Sequence, residues 1–212
     1  MIRNMVPNLA AALRLMLVTD DALVHGRNLV AICRAAVRGG VTAVELRLKR
    51  ATPRELVAQA RSLIAALDVP ILINDRLDVA LAAGAAGVHL GPDDLPVAWA
   101  RRAAPGGFLI GASVGTAAEV ENGQDADYWG VGPWRVSGTK ADAGPALGPD
   151  GFSALIRRAG NRPCVAIGGV IPEDVTPVRK AGGVGVAVVS GILAAGDVAA
   201  AARRYVERGI AG

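Results

Sequence analysis

Eight short apolar runs alternate with helix-like segments along the chain, and this alternation limits the fold more than any other feature of the sequence. The runs span residues 13–19, 41–49, 69–73, 87–90, 108–113, 128–131, 164–167 and 184–189. Apolar runs of this length between turn residues are typical of buried parallel strands. Strict alternation with helices indicates an α/β fold, and eight such units favour a single (β/α)8 barrel, the TIM barrel.

The segments between the runs have helical spacing over residues 28–38, 52–67, 77–83, 95–103, 117–122, 152–159, 172–181 and 198–208. The clearest helix start is Thr52-Pro53-Arg54-Glu55, with Thr as cap, Pro at the first position and Glu three residues after the cap. A doubly wound open sheet is the alternative fold. It is disfavoured because an eighth unit closes a barrel and no Gly-x-Gly-x-x-Gly motif follows the first run.

The 212 residues fit one domain, with residues 1–12 as an N-terminal extension and residues 132–151 as an active-site loop after the sixth strand. The net charge of +4 is spread along the chain without a basic block among aromatic residues, so a nucleic-acid partner is not expected. We expect neither a signal peptide nor a membrane-spanning segment, and therefore a cytoplasmic protein. The sequence leaves open whether it forms a homo-oligomer.

Two successive strands end in acidic residues. Asn74-Asp75 follows the third run, and a turn ending in Asp94 follows the fourth. The carboxyl ends of parallel strands lie on one face, so the two carboxylates are brought together and repel unless a cation compensates them. Mg²⁺ suits a site with few protein carboxylates and a phosphate substrate. The alternative is that each Asp simply caps the following helix.

The second strand carries a charged series, since Glu45, Arg47 and Lys49 alternate with Leu46 and Leu48. Period-two alternation places the three charges on one side, and we expect that side to face the top of the barrel because the helix layer is apolar. The alternative is a structural cluster of paired charges.

The segment after the sixth strand contains Ser137-Gly138-Thr139-Lys140. Two hydroxyls, loop amides and an ammonium suit phosphate oxygens. Lysine is scarce in this chain, with three Lys against twenty Arg, which makes Lys140 worth noting. The alternative is a surface loop rich in small polar residues.

Polar groups also follow the remaining strands. The seventh and eighth strands end in Gly168-Gly169 and Ser190-Gly191, and loops at these positions of a barrel often form a phosphate site from main-chain amides and a helix N-terminus. The fifth strand ends at Ser113, which can donate and accept a hydrogen bond. His89 lies on the fourth strand, where it is either a site residue or a satisfied core histidine.

These pieces together resemble the thiamine phosphate synthase family from about residue 13 to residue 205. The matching segments are LVTD, ELRLK, INDR, GVHLGPDD, the Ser of GASV, DYWGVGP, SGTK, VAIGGV and VAVVSGI, in matching order and spacing. The resemblance implies a transferase that joins 4-amino-2-methyl-5-hydroxymethylpyrimidine diphosphate to 4-methyl-5-(2-phosphoethyl)thiazole, or to its carboxylated form, and releases diphosphate.

The resemblance also implies a role for each matching position. It implies Mg²⁺ ligation by Asp75 and Asp94. It implies contacts to the pyrimidine diphosphate by Arg47, Lys49 and Asn74, with Lys140 on the pyrophosphate and Ser113 on the pyrimidine side near His89. It implies a thiazole phosphate site made of Ser137, Thr139, the Gly169 amide, Val189 and Ser190.

The chain departs from the family pattern at one single residue and at one three-residue run. The family usually has Gln where this chain has Glu45, and an aromatic-Pro-Thr run where this chain has Arg135-Val136-Ser137. A related branch, the thiazole tautomerases, loses much of the metal and pyrophosphate set, so the presence of Asp75, Asp94 and Lys140 favours the synthase. The second alternative is a non-catalytic barrel that binds thiamine precursors.

Overall fold

A closed parallel barrel forms the centre of the molecule in the computed structural model, which describes residues 8–136 and 145–210. Each strand pairs with the next along the chain, and the last pairs with the first. The strands are β1 (Leu15–Val18), β2 (Ala43–Leu46), β3 (Ile71–Asn74), β4 (Gly87–Leu90), β5 (Leu109–Val114), β6 (Tyr128–Val131), β7 (Cys164–Ile167) and β8 (Gly185–Val188). The predicted TIM barrel is confirmed, and the open-sheet alternative is wrong.

Helices surround the barrel: α1 (Leu9–Ala12), α2 (Asp21–Val24), α3 (Leu29–Arg38), α4 (Pro53–Ala66), α5 (Leu77–Ala83), α6 (Val97–Ala103), α7 (Gly148–Ile156), α8 (Val175–Lys180), α9 (Ser190–Leu193) and α10 (Val198–Ile210). The predicted start of α4 is confirmed, because Glu55 Oε2 accepts from the Thr52 N–H at 2.7 Å and Thr52 Oγ1 accepts from the Glu55 N–H. These two bonds satisfy amides that the helix itself leaves without partners.

The predicted helix over residues 117–122 is wrong, since consecutive turns lead from β5 to β6. One local and one tertiary hydrogen bond hold these turns. Glu119 accepts from the Gly115 N–H at 2.5 Å, and Asn122 Oδ1 accepts from the Val97 N–H at 3.2 Å. The two side chains are therefore used to bind main-chain amides just before the segment and at the start of α6.

Two apolar layers stabilise the barrel. The larger layer packs the outward-facing strand residues, such as Leu17 and Val44, against the helices. The smaller layer fills the barrel interior from alternate strand positions, with Met16 and Leu72 among its members, and Leu9 of α1 packs against it. Toward the carboxyl ends of the strands this interior becomes polar, since Glu45 lies two residues after the apolar Ala43. The fold thus provides a polar floor at the face where barrel enzymes carry their active sites.

No helix within the described ranges combines the length and apolar character needed to span a bilayer.

Candidate active site

The charged series of the second strand is placed differently from the prediction. The strand predicted over residues 41–49 is shorter, because β2 ends at Leu46. Only Glu45 is therefore a strand residue, and its side chain is buried. Arg47 and Lys49 lie in the connection beyond the strand end, on the same face of the barrel.

Residues after β1 position that connection. The Arg47 N–H donates to Thr19 Oγ1 at 2.8 Å, and the Arg47 guanidinium lies 3.5 Å from the Asp20 carboxylate. The Asp21 carboxylate accepts from the Lys49 N–H at 2.8 Å. Hydrogen bonds to two acidic residues and to a buried hydroxyl therefore direct Arg47 and Lys49 over the top of the barrel. Asp20 and Asp21 were not among the predicted site residues, although both follow the first apolar run.

Asp75 and Asp94, the acidic pair, come together as predicted. Asp75 adopts a left-handed backbone conformation with φ 63°, and its N–H donates to the His89 carbonyl at 2.8 Å, which ties the end of β3 to β4. Asp94 Oδ2 accepts from the Gly91 N–H at 2.6 Å. Left-handed backbone is uncommon for residues with a side chain, and Asp is among those that tolerate it. Asn74 ends β3 immediately before this turn.

The electrostatics of the acidic pair favour a cation. Burial, hydrogen bonding to Asp94 and the negative charge of Asp94 raise the pKa of Asp75, whereas the positive charge of Lys49 lowers it. Two adjacent carboxylates compete for a proton unless a positive charge offsets them. Within residues 8–136 and 145–210, no group of three or more His, Cys, Asp or Glu side chains is arranged to hold a metal. The acidic pair nevertheless fits Mg²⁺, which typically takes its other ligands from water and substrate phosphates.

Below the acidic pair, Glu45 is a buried carboxyl of the barrel interior. Its side chain is only 4% exposed. Burial raises its pKa to about 7, and the neighbouring Arg47 guanidinium opposes that rise. Near neutral pH this carboxyl is therefore present in both protonated and ionised forms, and the protonated form can donate as well as accept a hydrogen bond.

A line of hydrogen-bonded side chains crosses the interior on the opposite side. His89 Nε2 lies 3.0 Å from Ser113 Oγ, and His89 Nδ1 lies 2.9 Å from the Tyr128 hydroxyl. His89 and Tyr128 are buried, and Ser113 is half-buried at the end of the line. His89 is thus bonded in the core and also in contact with a predicted site residue. Tyr128 was not predicted, although it stands on an alternate, inward-facing position of the sixth apolar run.

The predicted thiazole phosphate site is only partly described. Gly169 lies after β7 in a left-handed turn with φ 66°. Val189 follows β8 and is half-buried, and Ser190 begins α9 and is exposed. These residues lie after neighbouring strands at one face of the barrel. Ser137 and Thr139 of this site lie outside the described residues, as does Lys140, which was predicted to contact the pyrophosphate.

The segment leading to those residues is held closely against β7. The Trp134 N–H donates to the Ile167 carbonyl at 2.7 Å, and the Leu147 N–H donates to the Pro133 carbonyl at 2.8 Å. The loop predicted over residues 132–151 ends earlier than expected, because α7 begins at Gly148.

Arg135 and Asp174 form an ion pair that the sequence analysis missed. Arg135 Nη2 donates to Asp174 Oδ1 at 2.6 Å, and Nε donates to Oδ2 at 2.8 Å. The Asp174 side chain is only 4% exposed. The replacement of the usual aromatic residue by Arg135 was the available signal, but its partner lies 39 residues away along the chain.

Comparisons with known proteins find relatives over most of the chain. The family model described as thiamine monophosphate synthase matches residues 15–192. A thiamine-phosphate synthase from Methanospirillum hungatei JF-1 is 45% identical over 199 residues, which cover 91% of this chain and 96% of that protein. A thiamine-phosphate synthase from Xanthobacter autotrophicus is 50% identical over 196 residues, covering 90% of this chain and 92% of that protein.

A solved structure gives the same result. The thiamine phosphate pyrophosphorylase from Pyrococcus furiosus superposes with a TM-score of 0.84 at 33% sequence identity, covering 96% of this chain and 98% of that chain. The family match spans most of the barrel, and the relatives correspond over nearly their full length. The chain therefore belongs to the thiamine monophosphate synthase family.

Proposed function

We propose that this protein is a thiamine phosphate synthase, a transferase that moves a pyrimidinylmethyl group from diphosphate to a thiazole nitrogen. The observation that carries the proposal is that relatives of this name are 45% and 50% identical to the chain over nine-tenths of its length. The placement of the acidic pair, Lys49 and the polar interior at one face of the barrel supports it, because each offers a contact that one substrate needs.

The pyrimidine diphosphate would bind above β2 and β3. Arg47, Lys49 and Asn74 would contact the diphosphate. This assignment is supported by the hydrogen bonds that tie Arg47 and Lys49 to the residues after β1 and by the position of Asn74 at the end of β3. The bond between the pyrimidinylmethyl carbon and the diphosphate oxygen breaks, and its electron pair leaves with diphosphate. Positive groups aimed at this developing charge lower the barrier. Lys140 is proposed to act on the same pyrophosphate.

The acidic pair would hold Mg²⁺ in this reaction. When bound there, the ion would offset negative charge on the departing diphosphate. Asp75 and Asp94 bring two negative charges together at the strand ends, and the Lys49 ammonium at 3.7 Å from Asp75 offsets only one of them.

The pyrimidine ring would lie over Glu45 and Ser113. A protonated Glu45 offers one donor and one acceptor, the same pair that a Gln amide offers an aminopyrimidine. Ser113 Oγ, held by His89, offers a further hydrogen bond on the opposite side. The new bond then forms between the pyrimidinylmethyl carbon and the thiazole nitrogen, and this step needs no side-chain nucleophile.

The thiazole phosphate would bind at the ends of β7 and β8. The Gly169 amide, Val189 and Ser190 supply its proposed contacts, with Ser137 and Thr139 completing the set. Its proposed ligand is 4-methyl-5-(2-phosphoethyl)thiazole or the carboxylated form of that compound. A cytoplasmic location stays a prediction.

The test is to incubate the purified protein with both substrates and Mg²⁺ and to detect thiamine phosphate and diphosphate by mass spectrometry. Reactions that lack either substrate serve as controls. We expect both products only in the complete mixture. Isomerisation of a thiazole carboxylate without diphosphate release would instead identify a tautomerase, and binding of both substrates without product would identify a precursor-binding barrel.

A further inference from the structure

We propose that the Arg135–Asp174 ion pair is a positioning device for the thiazole phosphate, because it holds the Gly168–Gly169 turn against the segment that follows β6. The inference rests on the proposed function for the identity of the ligand. It assigns a role to two residues that this function does not otherwise use.

The main chain of the two segments already runs in contact. After β6 ends, the Trp134 N–H donates to the Ile167 carbonyl at 2.7 Å and the Arg135 N–H donates to the Gly168 carbonyl at 2.9 Å. These bonds join the segment after β6 to the end of β7 and to the turn that follows it. The position of the turn after β7 therefore depends on the position of Arg135.

The packing leaves no room between them. A Cβ atom at Gly168 would lie 2.8 Å from Pro133 Cα, and one at Gly169 would lie 2.9 Å from Arg135 Cβ. Both glycines also have positive φ, at 91° and 66°, which residues with side chains rarely adopt. The main chain of this turn is thus set directly against Arg135, and a shift of Arg135 moves or frees the Gly169 amide.

The side chain of Arg135 closes the connection at its other end. Its guanidinium forms two parallel hydrogen bonds to Asp174, the geometry in which arginine binds a carboxylate most specifically. Asp174 Oδ2 also accepts from the Ile171 N–H at 3.0 Å. Arg135 therefore holds residues 168–174 at both ends. Its main chain binds Gly168, and its side chain binds Asp174.

This arrangement serves phosphate binding because an amide that is already in position pays no ordering entropy when the ligand arrives. The phosphate group is remote from the carbon and nitrogen that react. Loosening the phosphate site weakens binding of the substrate and of the transition state equally, which raises KM and leaves kcat unchanged. If the pair only stabilised the fold, its loss would lower the melting temperature without raising the thiazole KM selectively.

The test compares Arg135→Gln and Asp174→Asn with a matched control, Arg101→Gln. Arg101 pairs with Asp127 at 2.6 Å, and Asp127 precedes β6 at the opposite end of the barrel. Calorimetry gives Kd for 4-methyl-5-(2-phosphoethyl)thiazole alone, and steady-state kinetics give kcat and both KM values. Thermal unfolding confirms that each variant is folded. Arg135→Lys tests whether a single charged contact to Asp174 retains part of the thiazole phosphate affinity.

We expect Arg135→Gln and Asp174→Asn each to raise Kd and KM for the thiazole phosphate about tenfold, or about 1.4 kcal/mol. The kcat and the KM for the pyrimidine diphosphate should stay within about twofold of the parent values. The thiazole KM of Arg135→Lys should lie between those of the parent and Arg135→Gln. Arg101→Gln should change neither KM. The double variant should be no worse than the poorer single variant, because both substitutions break one interaction.

Three results would overturn the inference. A thiazole Kd unchanged in both variants would make the pair purely structural. An effect of Arg135→Gln without one of Asp174→Asn would make Arg135 a direct ligand contact. An equal rise in the thiazole Kd in Arg101→Gln would show that the effect comes from a general loss of stability. Failure of the proposed function appears separately, as absence of thiamine phosphate from the reaction of the unaltered protein.

Discussion

The Lys49 ammonium lies 3.7 Å from the Asp75 carboxylate, so one cation of the chain already faces the acidic pair. The Lys49 side chain is 56% exposed, and a single screened ammonium does not balance two carboxylates. We therefore predict that Asp75→Asn and Asp94→Asn each lower kcat at least about a hundredfold, equivalent to about 2.7 kcal/mol. EDTA should abolish activity, and added Mg²⁺ should restore it.

Steady-state kinetics with and without chelator check this prediction, and titration calorimetry with Mg²⁺ gives a readout that does not depend on turnover. Asp93→Asn is the matched control, since Asp93 is an exposed neighbour in the same turn. Full activity in EDTA would refute the metal requirement.

Lys140 is predicted to stabilise the departing diphosphate. Lys140→Ala should therefore lower kcat strongly, by about a hundredfold, with a smaller effect on the thiazole KM. Lys180→Ala, which removes an exposed lysine at the end of α8, should leave both constants unchanged. An unchanged kcat with a raised thiazole KM would move Lys140 to the other phosphate group.

Glu45 gives a prediction about pH. Burial raises its pKa to about 7 from the ordinary value of 4.5, so the folded state retains a proton that the unfolded state loses between these values. Stability then falls as pH rises through this window, by up to about 3 kcal/mol relative to Glu45→Gln, and changes no further above it. Urea unfolding of both proteins between pH 4 and pH 8 measures the difference.

In activity, Glu45→Gln should stay within about tenfold of the parent, because the amide replaces a protonated carboxyl, whereas Glu45→Ala should raise the pyrimidine diphosphate KM more than the thiazole KM. Glu121→Gln, at an exposed glutamate, controls for charge. In the urea experiment, the same pH dependence of stability in the parent and in Glu45→Gln would show that Glu45 does not titrate between pH 4 and pH 8.

The line from Ser113 through His89 to Tyr128 requires a glycine beside it. A Cβ atom at Gly111 would lie 2.3 Å from Tyr128 Cζ and 2.5 Å from His89 Nδ1. Tyr128 is fully buried and has no room to move, so Gly111→Ala should destabilise the protein by about 3 kcal/mol through overpacking.

Gly106→Ala is the control, since a Cβ atom there meets nothing within 4 Å. Chemical denaturation compares the two variants. Equal stability of Gly111→Ala and the parent would show that the interior adapts around the histidine.

The barrel could be predicted because each strand is a short apolar run between turn residues, a signal that is local. The acidic pair could be predicted for the same reason, as strand-end residues share a face in any parallel barrel. The end of β2 could not, because Leu48 continues the alternation while Asp21 binds the Lys49 amide and draws the chain out of the strand.

The other differences arise from side-chain contacts that the spacing of residues does not show. Residues 117–122 have helical spacing, yet Glu119 binds the Gly115 amide and Asn122 binds the distant Val97 amide instead of supporting a helix. Asp174 resembles an ordinary residue at a helix start, and only the three-dimensional structure brings Arg135 to it. Local patterns report local geometry, and such pairs are set by the fold as a whole.

The pairing of β8 with β1 has a consequence for synthesis. Leu15 pairs with Val186. One edge of β1, the first strand to leave the ribosome, therefore stays unpaired until β8, the last strand, has been synthesised. Until then the nascent chain exposes an unpaired strand edge and an apolar interior, the features that make partly made sheets prone to aggregate. A stop codon shortly before Gly185 would thus yield a product that cannot close, however complete its catalytic residues are.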